Sequence, residues 1–264
     1  FLKMHGLGYD FVIIDARATG FTPSPSQVKH MSDRRRGAGC DQLIILRTTD
    51  RADVFMEIWN ADGTRAGACG NATRCVGRMM LDETKKTSVS IETDAGLLSA
   101  TAYNTDISVN MGPARTEWHD IPLMTEQPTN PLSLTVGPLQ NPTCVNMGNP
   151  HAVFFSDDCE SIDLARWGAE AETHSVFPER ANISVATVTT GTIRLRVWER
   201  GAGITEACGS AACAATVAAS MRGLIDRKAN VQLDGGMLTV EWLKDGTVQM
   251  TGGTSFVYSG RFSL

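Results

Sequence analysis

Apolar and polar positions alternate with a period near two along much of the chain. Val89–Thr93, Ser99–Tyr103, Ser184–Thr189, Leu238–Trp242 and Thr247–Met250 all approximate it, and Val54–Ile58 and Ile193–Val197 are further β-like runs. Such alternation marks strands with one covered face. Four segments break the period and predict helices: about Ser24–Ser32, Ile162–Glu170, and two runs of small and apolar residues, Val76–Leu81 and Ala214–Met221, that suit buried helices. The mixture predicts an α+β fold.

The pattern is also written twice. Residues 59–75 read WNADGTRAGACGNATRC and residues 198–213 read WERGAGITEACGSAAC. In each, a Trp closes a strand-like run, a Gly-containing loop follows, and Ala-Cys-Gly-Asn/Ser-Ala opens the helical segment. A second match lies downstream at nearly the same offset: Asp94–Leu98 resembles Asp234–Leu238, and Val109–Met111 resembles Val248–Met250. Two matches in register make duplication the better account than chance. The architecture implied is two pseudo-symmetric domains, each a bent, barrel-like sheet around a central helix entered through Cys-Gly. Gly112-Pro113 and the polar stretch to Pro122 read as the linker. The halves are then residues 1–112, with the C-terminal tail 252–264 packing back on them, and residues 113–251.

Composition narrows the function. The chain has 264 residues, enough for two domains, and 42% hydrophobic and 20% charged residues, as in a soluble globular protein. No apolar run reaches the roughly 18 residues of a membrane span, and the first residues lack the features of a signal peptide. A net charge of −5 with scattered basic residues argues against nucleic acid as a partner. Seven cysteines without regular spacing do not form a secreted disulfide framework, which leaves a reducing cytoplasm as the expected location. Cys69/Cys75 and Cys208/Cys213 lack zinc-knuckle spacing and following His partners, so no metal site is expected.

The two repeated cysteines carry the chemistry. A cysteine opening a helix sits where unsatisfied N–H groups and the macrodipole favour a thiolate. The following Gly70 and Gly209 let a ligand approach the backbone, and Asn71 and Ser210 add hydrogen-bonding side chains in the same turn. Each half therefore offers one acid–base sulfur and half of an anion site. Two such sulfurs on opposite faces of an amino-acid α-carbon would invert it, one thiolate removing the proton while the opposite thiol delivers another. A lone Cys-Gly is ordinarily packing, but packing gives no reason to repeat it after the same loop. Cys40, Cys75, Cys144, Cys159 and Cys213 are read as structural.

At these residues the chain resembles the diaminopimelate epimerase family. Lys3–Gly8, Gly39–Leu43, Asn60–Gly63 with Ala68–Asn71, Met147–His151, and Glu199–Gly203 with Ala207–Ser210 carry the likeness over nearly the whole chain. The resemblance implies two pseudo-symmetric α+β domains and LL/meso-diaminopimelate interconversion in lysine and peptidoglycan-precursor biosynthesis. It also implies no pyridoxal phosphate or metal, and a homodimer. It implies that Cys69 and Cys208 are the acid–base pair. Gly70, Asn71, Gly209 and Ser210 would hold the carboxylate of the reacting centre. Asn60, Asn149, Asn182 and Arg200, with groups around Glu199, would grip the distal end, and Gln42 and His151 would line the pocket near the chemistry. The guanidinium fork of Arg200 suits a carboxylate in its own right.

One departure bears on substrate. Where the family opening continues Gly-Leu-Gly-Asn-Asp-Phe, this chain has Tyr9. A bulky ring with one hydroxyl replaces a compact amide. The same cysteine chemistry on another amino acid therefore stays open, as does a non-catalytic carboxylate-binding protein using the two helix ends.

Overall fold

The structure, a computed structural model, describes residues 1–262; residues 263 and 264, the end of the expected returning tail, lie outside the described residues. The elements in chain order are β1 (Leu2–Gly6), β2 (Tyr9–Asp15), α1 (Pro25–Ser32), β3 (Gln42–Arg47), β4 (Val54–Asn60), β5 (Arg65–Ala66), α2 (Gly70–Thr84), β6 (Ser88–Thr93), β7 (Gly96–Tyr103) and β8 (Asp106–Pro113). There follow β9 (Thr135–Val136), β10 (Leu139–Gln140), β11 (Thr143–Asn146), β12 (Pro150–Phe155), α3 (Leu164–Glu172), β13 (Asn182–Thr189), β14 (Thr192–Glu199), β15 (Gly203–Thr205), α4 (Gly209–Met221), β16 (Lys228–Leu233), β17 (Gly236–Trp242), β18 (Thr247–Gly252) and β19 (Ser255–Ser259). The class is α+β. The chain divides into two compact units, residues 1–110 with 251–264, and residues 111–250.

Each unit repeats one pairing order. In the first, β1 and β2 pair antiparallel, β2 and β3 parallel, β3 and β4 antiparallel, β4 and β6 parallel, and β6 and β7 antiparallel. In the second, β11 to β12, β12 to β13, β13 to β14, β14 to β16 and β16 to β17 follow the same alternation. The short β5 and β15 fold back on β4 and β14 and lead into α2 and α4. The duplication read in the sequence is thus a duplication of topology.

The central helices differ in how far their units enclose them. Ten of the thirteen residues of α4 are buried, and the helix packs against β11, β12, β13, β14, β16 and β17. A helix apolar all round needs cover on all sides. Helix α2 packs on β1, β6 and β7. Its close approach to β7 depends on Gly77, where an added Cβ would lie 2.5 Å from Ala100 Cβ.

Several strands escape the alternation rule for a physical reason. In β3, Leu43, Ile44, Ile45 and Leu46 are all buried: Leu43 and Ile45 join the α1 residues Val28 and Met31 in one cluster, while Ile44 and Leu46 are covered on the other face. A strand covered on both faces reads as a continuous apolar run. Helix α1 begins where expected, Ser24 forming a capping box with Gln27. Helix α3 starts two residues later than its expected range because Asp163 caps it, accepting from the Arg166 N–H.

The stretch from Pro113 to Pro122 does not behave as a linker. Arg115 and Asn146 exchange backbone hydrogen bonds of 3.0 and 2.8 Å, and Ile121 is buried in the second unit's core with Leu132 and Phe154. Its polar composition hid one well-placed apolar anchor. In the first unit, β19 pairs antiparallel with β1, and the Phe1 backbone nitrogen donates to Gly260 O at 2.8 Å. Among the described residues no helix is long and apolar enough to cross a membrane.

Candidate active site

Both repeated cysteines are helix N-caps. Cys69 precedes α2 and Cys208 precedes α4, each with extended backbone and neither offering the side-chain oxygen that ordinarily caps a helix. A thiol there forgoes the roughly 0.5–2 kcal/mol that Ser, Thr, Asp or Asn would contribute. Two helices that both begin in this way indicate selection for something besides stability. Each pre-cysteine loop is held by the hairpin turn that follows its helix: Ala95 N–H donates to Gly67 O at 3.1 Å, and Gly235 N–H to Glu206 O at 2.8 Å.

Strand register places further residues in equivalent positions. Phe11 lies opposite Gln42 as His151 lies opposite Asn182. Gln42 lies opposite Asn60, and one step beyond the Ile183–Trp198 pair Asn182 meets Glu199. Gln42 and Asn182 are therefore counterparts, as are Asn60 and Glu199. Counting back two residues from Phe11 and His151, Tyr9 is the counterpart of Asn149.

In the first unit, Gln42 Nε2 donates to Asn60 Oδ1 at 3.0 Å, and Asn60 Nδ2 to Thr64 Oγ1 at 3.1 Å. Gln42 Oε1 is buried with no hydrogen-bond partner among the described residues. Cys69 and Gly70 are half-buried and Asn71 is buried. Tyr9 rests against Phe11, ring centroids 5.5 Å apart.

The second unit gathers a denser set. His151 is fully buried; its Nε2 lies 3.0 Å from Asn149 Oδ1 and 3.1 Å from Ser210 Oγ. With Nε2 donating to the Asn149 oxygen, the Ser210 hydroxyl is free to exchange a hydrogen bond with Cys208 Sγ, 3.5 Å away. Burial, then the Arg200 charge, pushes His151 down to about 3, so its imidazole is neutral.

Cys208 reverses one expectation. A helix start lowers a thiol pKa, yet Cys208 is raised well above the ordinary value. Burial, which leaves it 6% exposed, is the largest cause, and the Glu199 carboxylate adds to it; the Ser210 hydroxyl and Ala211 N–H oppose without prevailing. The resting group is the thiol. Thr205 donates its hydroxyl to Glu199, fixing that carboxylate.

Asn182 and Arg200 part company. Asn182 is buried, its amide donating to Pro150 O at 2.8 Å and accepting from Arg200 N–H at 2.9 Å. Arg200 is exposed, donates to Glu179 O at 3.0 Å, and has no carboxylate within ion-pair distance among the described residues. Gly209 is buried beside Cys208, and the five other cysteines are buried thiols. The sequence reading passed over Thr205, whose counterpart in the first copy of the motif is Ala66, and Glu172, which no local pattern ties to Cys208.

Solved structures share this architecture. A PhzF-family phenazine biosynthesis protein from Bacillus anthracis aligns at TM-score 0.70 and 17% identity, over 97% of this chain and 96% of that one. A hydroxyproline epimerase from Agrobacterium vitis, with bound trans-4-hydroxy-L-proline, aligns at TM-score 0.68 and 15% identity, over 97% and 88%. At these identities the likeness defines the fold, the one common to PhzF proteins and proline-racemase-like enzymes. Sequence goes further. The profile of the diaminopimelate epimerase family matches residues 1–117 and 143–257. Relatives named diaminopimelate epimerase from Rhodospirillum centenum and Acidiphilium cryptum are each 49% identical, over 100% and 98% of this chain and 92% and 95% of their own. The chain belongs to the diaminopimelate epimerase family and is an isomerase.

Proposed function

We propose that this chain interconverts LL- and meso-diaminopimelate by two-base proton transfer between Cys69 and Cys208, without pyridoxal phosphate or metal. The observation that carries the reading is the cysteine N-cap at the same point of both duplicated units. In one direction a thiolate takes the α-proton onto sulfur, and the other thiol gives its proton to the opposite face of the carbanion. The carbon gains one proton and loses one, and the two sulfurs exchange protonation states. The first-turn amides of α2 and α4, with Gly70, Asn71, Gly209 and Ser210, receive the α-carboxylate and stabilise the charge that builds on it. In this reading Glu199 is the base beside Cys208, its carboxylate taking the thiol's proton when substrate arrives; the rise it causes in that thiol supports the pairing. Arg200, with no carboxylate within ion-pair distance among the described residues, suits the distal carboxylate, and Asn60 and Asn149 the groups around it. Gln42 and His151 line the site, while Asn182 supports Arg200 through its backbone.

The test is exchange of the α-proton of LL-diaminopimelate with D2O by reduced protein to which no cofactor is added. Cys69→Ser and Cys208→Ser should each lower turnover by at least about a hundredfold, the scale of a lost acid–base group. Absence of exchange with both isomers, or full activity of either variant, overturns the reading.

Tyr9 favours a second reading, racemisation of a different amino acid by the same cysteines. Its register counterpart is Asn149, so a phenol stands in one unit where an amide stands in the other. A deuterium-incorporation screen across amino acids separates the two, with Tyr9→Asn alongside. We further propose a cytoplasmic homodimer. The exposed Phe256, Val257 and Tyr258 of β19 support association, and sedimentation velocity tests it.

A further inference from the structure

We propose that Glu172 is a positioning residue: from the end of α3 it holds the β14–β15 turn that carries Glu199 and Arg200. Helix α3 presses on β14 closely enough that a Cβ at Gly168 would stand 2.7 Å from Trp198 Cβ. That contact delivers the Glu172 carboxylate, 5% exposed, to the turn. Its Oε2 accepts the Trp198 indole N–H at 2.7 Å and its Oε1 accepts the Gly201 backbone N–H at 2.9 Å, with the Arg180 guanidinium at 3.5 Å.

The turn needs such a hold. Gly201 and Gly203 have φ of +76° and +87°, a conformation that glycine adopts at the cost of a more mobile unfolded chain. Ala202 N–H closes the turn on Glu199 O at 3.0 Å, and Asn182 holds the Arg200 N–H. Two consecutive amides, of Arg200 and Gly201, are thus fixed by side chains from β13 and α3.

The first unit supplies an internal comparison. Trp59, the counterpart of Trp198, also donates its indole N–H to a carboxylate, Glu57 at 2.6 Å. Glu57, however, lies on β4 itself, and its other ion-pair partners are Arg47 and Arg65. Supporting a Trp accounts for Glu57. Reaching a turn amide is particular to Glu172, and that turn places the carboxylate acting on Cys208.

The experiment follows alkylation of Cys208 by iodoacetamide, resolved by mass spectrometry, from about pH 7 to pH 11.5 in reduced protein, a window that reaches the raised thiol. Glu172→Gln keeps the volume but offers one acceptor oxygen to two N–H donors; Glu172→Ala offers none. With the turn loosened, Glu199 withdraws and water reaches the sulfur. The alkylation midpoint should fall by about one pH unit in Glu172→Gln and further in Glu172→Ala, with about tenfold faster alkylation near pH 8. Trp198→Phe removes the other donor and keeps the Gly201 contact; it should lower the unfolding temperature and leave the midpoint in place. An unmoved midpoint in folded Glu172→Gln, or an equal shift in Trp198→Phe, overturns the proposal. Turnover of diaminopimelate, measured in parallel, rests on the function proposed above; the alkylation arm needs no substrate, so failure of one reading is distinguishable from failure of the other.

Discussion

Gly77→Ala tests how tightly α2 is seated, and through it the placement of Cys69. Gly77 is buried in the middle of the helix, and an added Cβ would lie 2.5 Å from Ala100 Cβ and 3.4 Å from Ile107 Cγ2. Carbon atoms meet comfortably at about 3.5 Å or more, so the first contact is short by about 1 Å. Both neighbours are fully buried, and neither has a flexible end that can swing away. Overpacking of this kind costs about 1–3 kcal/mol. Against it stands the gain from replacing a mid-helix Gly by Ala, about 1 kcal/mol. The net expectation is a loss of up to about 2 kcal/mol, read by urea unfolding with the denaturant slope held constant. A double-mutant cycle isolates the cause: Ala100→Gly removes the opposing methyl, so Gly77→Ala placed on it should recover about 1 kcal/mol or more relative to additivity. Because α2 must shift to accept the methyl, turnover should fall as well, since displacement of about 1 Å at a reacting group costs up to about a hundredfold. Gly77→Ala stabilising the protein by about 1 kcal/mol, with no coupling to Ala100, would refute the close seating.

Two further expectations concern titration. His151 is held near 3 when folded and titrates near 6.5 when unfolded, so below pH 6.5 the unfolded chain binds a proton that the folded one refuses. Its stabilising contribution is complete above pH 6.5 and is lost as pH falls toward 3, by about 4–5 kcal/mol over that span; urea midpoints should drop accordingly, and His151→Gln should flatten that part of the profile. For Cys208, the Glu199 charge favours the thiol, so Glu199→Gln should move the Cys208 alkylation midpoint to lower pH while slowing turnover, and a midpoint that rises would reverse the sign assigned to that carboxylate.

What the sequence determined by itself is the local and the repeated. Helix α1 is legible because Ser24 and Gln27 satisfy each other's backbone within one turn. Cys69 and Cys208 are legible because the duplication prints the same loop, cysteine and glycine twice. The continuous run in β3 is ambiguous on its own, since cover on two faces erases the period that separates strand from helix. The segment from Pro113 to Pro122 misleads for the complementary reason: its polar residues are local, while the core that receives Ile121 is assembled from residues far along the chain. Only tertiary structure decides the protonation of the site. The helix start at Cys208 favours a thiolate, but enclosure of α4 by its sheet and the arrival of Glu199 from β14 set the balance the other way. Glu172 belongs to the same class. Its bond to Gly201 joins residues 29 apart in sequence, and no local rule reaches that far.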